Sequence, residues 1–173
     1  MRRADVVHGV EPNGTIADNA ALIIAARVHE LLEWEQSARD PARVNELHRM
    51  RIAAKRLRYT LELFEPAVGK SLSEAIEAMK EVQELLGAIH DLDVLTPRLV
   101  QALRRALRPG RRPEEWMTAD YAGCGGLVAL CRRKYLTRRA LHRRFLSAWR
   151  QLRRSGILDA LARADLEWHR GQT

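Results

Sequence analysis

Apolar residues recur every three or four positions through most of this chain, the spacing of one face of a helix, and strand-favouring runs of β-branched residues are missing. Ile16, Leu22, Ile23, Ala26, Leu31 and Leu32 predict a first helix from about Thr15 to Ala38. Ahead of it, residues 1–14 read as a flexible arm, with turn chemistry at Pro12-Asn13-Gly14. Asp40-Pro41 reads as an N-cap followed by proline at the first helical position. A second helix is therefore expected from Pro41 to about Phe64, stopped by Glu65, Pro66 and Gly69. Its apolar side carries Met50, Ala53, Ala54, Leu57, Leu61 and Phe64.

Ser71 and Glu74 have capping-box spacing, and Leu72, Ile76, Met79, Val82, Leu85, Leu86 and Ile89 follow at helical intervals. This third helix is expected to end near Leu95. Thr96-Pro97 should restart or kink it up to about Leu107. Arg108 to Pro113 read as a loop, and residues 114–122 are ambiguous. A long basic helix should run from about Gly125 to Arg154, with Leu130, Leu141, Phe145, Ala148 and Leu152 on its core side and Ser155-Gly156 as its stop. A short last helix is expected over roughly Ile157 to Trp168. The pattern predicts an all-α bundle of about five to six helices, forming a single domain over residues 15–173.

The polar side of the second helix is unusual. His48, Arg51, Lys55 and Arg58 fall at i, i+3, i+7 and i+10, which at roughly 100° per residue is one stripe. Wet helix faces normally mix charge signs, because like charges a turn apart repel by a few tenths of a kcal/mol. Here only Glu62 joins from the acidic side. A solvated surface is the ordinary explanation of a basic face. The histidine at the head of the stripe and the scarcity of acids on it favour a polyanion instead.

Charge is unevenly distributed along the chain. The formal net charge is +8 and the sequence pI about 10.3. Residues 1–97 hold 12 Lys and Arg against 16 Asp and Glu, a net −4; residues 98–173 hold 18 against 6, a net +12. The first half thus concentrates its positive charge in the one motif, while the second is basic throughout. Arginine far outnumbers lysine, and its fork suits phosphate oxygens. In the long basic helix, Arg132, Arg139, Arg143 and Arg150 form a further stripe, although Arg133, Arg138, Arg144 and Arg153 spread charge around the same helix.

The remaining chemistry is sparse. Cys124 and Cys131 lie two turns apart on one helix, too far for a disulfide, and read as packing residues in a reducing compartment. No apolar run approaches the roughly 18 residues of a membrane span, and no sustained apolar segment suggests a signal peptide. A cytoplasmic location is the expectation. His8, His29, His142 and His169 read as surface or half-buried histidines, and Trp34, Trp116, Trp149 and Trp168 as core or helix-seam residues. Asp91 and Asp93 could serve as acid–base groups or metal ligands with His48 or His90. Yet neither a HExxH spacing nor a Cys/His quartet is present, and the expectation is that one Asp orients an Arg of the basic helix. A backbone-binding nucleic-acid protein is the main alternative, without a helix-turn-helix, RNP or zinc-knuckle signature.

Two runs carry a resemblance. His48-x-x-Arg51-x-x-x-Lys55-Arg56-Leu57-Arg58-Tyr59, followed by Leu61-Glu62-Leu63-Phe64, resembles the signature helix of the CHAD family, the conserved histidine α-helical domain. Leu85-Leu86-Gly87-Ala88-Ile89-His90-Asp91-Leu92-Asp93-Val94-Leu95 resembles the family's second signature. The resemblance implies a helical bundle with a basic central groove or channel that binds inorganic polyphosphate without acting as an enzyme and without a cofactor or metal. It implies that His48, Arg51, Lys55, Arg56, Arg58 and His90 contact the ligand, with Tyr59, Asp91 and Asp93 in support. Association with polyphosphate granules would follow. Larger members have two related halves, and this chain has one signature helix. A second wall is therefore expected from a homodimer or from Arg132, Arg139 and Arg143 of the Arg-rich helix.

Overall fold

The computed structural model describes residues 7–106 and 120–163, of which the side chains of 17, 18, 106 and 120–124 are not placed. Among the described residues there are six α-helices, one 3-10 turn and no strand, so the protein is an all-α bundle. The helices are α1 (Ile16–Leu32), α2 (Glu35–Ala38), α3 (Val44–Val68), α4 (Ser73–Ala106), α5 (Asp120–Ser155) and α6 (Ile157–Ala162). No helix among the described residues is long and apolar enough to cross a membrane.

The 3.6-residue pattern becomes a core. Ile24, Val28 and Leu31 of α1 meet Met50, Leu57 and Leu61 of α3, all 0% exposed. Met79, Leu86 and Ile89 of α4 close the next side, and Phe145, Trp149 and Leu152 arrive from α5. Each large side chain fully removed from water contributes about 1.5–3 kcal/mol. These faces are therefore what hold the helices together, since isolated helices of such length are marginal in water.

The boundaries differ from the sequence expectation in several places, each with a local cause. The first helix breaks after Leu32. The Trp34 amide donates to the Leu31 carbonyl at 3.3 Å, a tightened last turn, and α2 restarts at Glu35. The break brings Ala38 into the core at 1% exposure. Asp40 does not cap a helix at Pro41. Its carboxylate accepts from the Ala42 amide at 2.9 Å, forming a turn, and α3 starts only at Val44. At its far end α3 runs through Pro66 and stops at Gly69, whose φ of 97° only glycine adopts readily.

Ser71 sits in the 3-10 turn Lys70–Leu72 instead of heading a capping box. Ser73 opens α4, and its hydroxyl donates to the Glu65 carboxylate at 2.6 Å. Nor does α4 end near Leu95: it continues through Pro97 to Ala106. Pro97 is exposed, so its ring projects outward and one backbone bond, to the Asp93 carbonyl, is forgone. The basic helix begins earlier than expected, at Asp120, and Gly156 (φ 75°) ends it. The last helix is described only to Ala162, so the expected extension to Trp168, like the loop from Arg108 to Pro113, lies outside the described residues.

Within the expected arm, the Glu11 carbonyl accepts from the Gly14 amide at 3.0 Å, closing a turn. The Asn19 side chain then clips Glu11 to α1, accepting from its amide at 2.9 Å and donating to its carbonyl at 2.8 Å.

Candidate functional site

The α3 stripe stands opposite a fully buried face. Ala53, Ala54 and Leu57 are at most 1% exposed, whereas Lys55 is exposed and His48, Arg51 and Arg58 are half-buried. The one acid of the stripe, Glu62, forms an ion pair with Arg58 at 3.3 Å. Arg58 also lies over the Tyr59 ring, 4.6 Å from its centroid, and Lys55 approaches the same ring at 5.4 Å. Such cation–π contacts contribute about 0.5–1 kcal/mol at exposed sites and limit where the two cations can go. The Nε atoms of Arg51 and Arg58 are buried without an acceptor. Arg51 has no acidic partner among the described residues.

α4 runs back along α3 and places His90 against His48. The two Nδ1 atoms are 3.2 Å apart and the ring centroids 4.5 Å, tilted by 31°. Burial, then the neighbouring His90, then Arg51 push His48 below the ordinary histidine pKa. One turn further, Asp93 turns to α5. Its carboxylate receives the Arg138 guanidinium through both oxygens, from Nε and from Nη2, the latter at 3.3 Å. With side chains 8% and 13% exposed, this is a nearly buried fork. Asp91 is exposed on the same helix. No group of three or more His, Cys, Asp or Glu side chains positioned for a metal ion occurs among the described residues.

One sequence-expected site residue is engaged elsewhere, and three more stand apart on α5. Arg56, off the stripe, pairs with Glu30 of α1, which also accepts from Arg27 at 2.6 Å. Glu30 thereby ties α1 to α3. On α5, Arg132, Arg139 and Arg143 are exposed and have no acidic partner among the described residues; Arg139 lies 5.9 Å from the Tyr135 ring. The arginine that α5 brings to the signature helices is Arg138.

Sequence reading missed Arg138 and His142. Arg138, His142, Phe145, Trp149 and Leu152 follow one another at intervals of four, three, four and three, the packed seam of α5. His142 is 4% exposed, not a surface histidine, and its ring pairs with the Ala38 carbonyl at 3.0 Å. Trp149 is a core residue and Trp34 packs at the core edge, while Trp116 and Trp168 lie outside the described residues. Cys131 carries a free, half-buried thiol, and the Cys124 side chain is not described.

The comparisons agree with the two signature runs. The family model for the CHAD domain matches residues 4–100. The uncharacterized protein Rv2226 of Mycobacterium tuberculosis (strain ATCC 25618 / H37Rv) is 31% identical over 159 residues, 88% of this chain. The uncharacterized protein MT2285 of strain CDC 1551 / Oshkosh matches to the same extent. The chain spans about 28% of the length of these curated relatives. No solved structure matches it significantly.

Proposed function

This chain belongs to the CHAD family, whose domains in general bind inorganic polyphosphate, and on that premise we propose that it holds polyphosphate along the α3 face. The observation that carries this reading is the imbalance of the stripe. His48, Arg51, Lys55 and Arg58 share one face with a single carboxylate, and Arg51 has no acidic partner among the described residues. A polyanion supplies the missing charge. Each Lys or Arg that meets a phosphate releases a condensed counterion, so affinity is expected to be steeply salt-dependent, as on nucleic-acid backbones. Guanidinium forks add geometry to that attraction.

Asp93 and Tyr59 play supporting parts in this reading. Asp93 fixes Arg138 and with it the position of α5 on α4. Tyr59 guides Lys55 and Arg58. Arg56 stabilises the fold through Glu30 and is not assigned to the ligand. The chain acts as a binding module and not as an enzyme. Its second wall comes either from a second copy across a two-fold axis, the commonest oligomer symmetry, or from Arg132, Arg139 and Arg143. The place of action is the cytoplasm, at polyphosphate granules.

Calorimetric titration with long-chain polyphosphate, orthophosphate and a DNA duplex tests the proposal. Polyphosphate should bind tightest and should displace the duplex. Equal affinity for duplex and polyphosphate would replace this reading with general nucleic-acid backbone binding. Light scattering with and without polyphosphate distinguishes the two sources of the second wall.

A further inference from the structure

The contact between His48 and His90 has room for one proton. At 3.2 Å, one Nδ1 donates its hydrogen and the other must present a bare lone pair. If both rings were protonated, two N–H groups would face each other and two cations would stand with ring centroids 4.5 Å apart. The surroundings do not relieve this. Arg51 on α3 adds positive charge beside His48. On α4, Asp93 is committed to Arg138 of α5, and Asp91 is exposed. The α1 carboxylate of Glu30 holds Arg27 and Arg56. Lys55 and Arg58 continue the positive face away from the pair, with only Glu62 against Arg58.

We propose that the His48–His90 pair takes up a proton when a phosphate chain meets the α3 face beside it, so that pH sets the affinity of the site. This rests on the polyphosphate reading and names a regulation of that same site. The argument is one of charge and geometry. In the free protein the second proton breaks the Nδ1–Nδ1 hydrogen bond and meets Arg51. A chain of phosphates, about one negative charge per unit, reverses both penalties. The rings part, and each N–H finds a phosphate oxygen as acceptor. The depressed proton affinity of His48 in the free protein, caused by burial, His90 and Arg51, has the sign this requires.

The linkage also has a fixed sign. The bound state carries more protons than the free state, so binding strengthens as pH falls. The effect lies in a window around the ordinary histidine value of about 6.5 and levels off outside that window. Exchange of one proton corresponds to about a tenfold change in affinity per pH unit within that window.

Two measurements test this. Calorimetry of the whole chain with long-chain polyphosphate, near pH 6.5 in buffers of different ionisation enthalpy, counts the protons taken up. The expected result is about one proton for the wild-type chain and about none for the His48→Gln/His90→Gln double variant. Equal uptake by both would overturn the proposal. The second measurement needs no ligand. In the free wild-type chain the His48 imidazole resonance should titrate below the ordinary histidine value, and His90→Gln should move it back toward that value. A His48 titration unaffected by His90→Gln would sink the pair. If the chain binds no polyphosphate, the functional reading fails, while the ligand-free titration still decides whether the two rings share a proton.

Discussion

Two helices of this protein are rich in cations, and they present them in different ways. On α3 the charges are half-buried and have defined neighbours. His48 lies against His90, Lys55 and Arg58 against Tyr59, and of the four stripe residues only Lys55 is exposed. On α5, Arg132, Arg139 and Arg143 are exposed, and the ordered arginine of that stretch, Arg138, is turned inward onto Asp93. A ligand meeting α3 finds cations already partly stripped of water and limited in rotamer. A ligand meeting α5 must immobilise long side chains, at about 0.5–1.5 kcal/mol each. Charge density alone would rank α5 above α3, and side-chain order reverses the ranking.

The largest expected effect comes from the contact that separates the two regions. Asp93→Ala leaves the Arg138 guanidinium nearly buried without a partner, which should cost about 3–5 kcal/mol of stability by chemical denaturation. Unchanged stability would mean that α5 is not pinned to α4 there. Next, the Arg51→Ala/Lys55→Ala/Arg58→Ala variant should lose about a hundredfold in polyphosphate affinity at physiological salt, and its log–log salt slope should shrink by about three. Helicity by circular dichroism should not change, since these positions lie opposite the core.

A smaller effect is expected on the other side of the comparison. Replacing Arg132, Arg139 and Arg143 together with Gln should weaken binding by no more than about threefold, a level typical of screened surface charges. That figure holds if the second wall comes from a second copy; losses matching those of the α3 set would put the wall on α5 and erase the distinction. The smallest effect concerns pH and stability without ligand. His48 has a lowered pKa in the fold, so the unfolded chain binds its proton more readily. Stability is therefore complete above the unfolded value of about 6.5 and falls as pH drops through the lower, folded value. Melting curves across that range should show the decline, and His48→Gln should flatten it.

Much of the bundle was legible because burial leaves a periodic trace. Met50, Ala53, Ala54, Leu57 and Leu61 form the α3 core face as their spacing implied, and the one-sided charge of His48, Arg51, Lys55 and Arg58 was visible for the same reason. What sequence could not supply was the partner of each polar group. Arg56 belongs by position to the signature run, yet Glu30, which lies 26 residues earlier, takes it. Arg138 looked like one more charge on a crowded helix until Asp93 gave it a partner. The boundary errors at Asp40, Ser71 and Pro97 share a cause: each residue type permits two local structures, and packing chose between them. On α5, Phe145 and Leu152 are core as their spacing implied and Leu141 and Ala148 pack at its edge, whereas the buried His142 of the same seam was read as a surface or half-buried histidine.

That seam also bears on how the chain folds. The pairing of His142 with Ala38 joins residues 104 apart, and Phe145, Trp149, Leu152, Leu158 and Leu161 complete a core otherwise built before residue 100. The α1–α3 and α3–α4 pairs close short loops and can form early, whereas α5 must close a much longer one before any of its contacts are gained. Docking of α5 is therefore the expected late step of folding. Until it occurs, the half that carries both signature runs presents an uncovered apolar face, a state open to chaperones and to self-association.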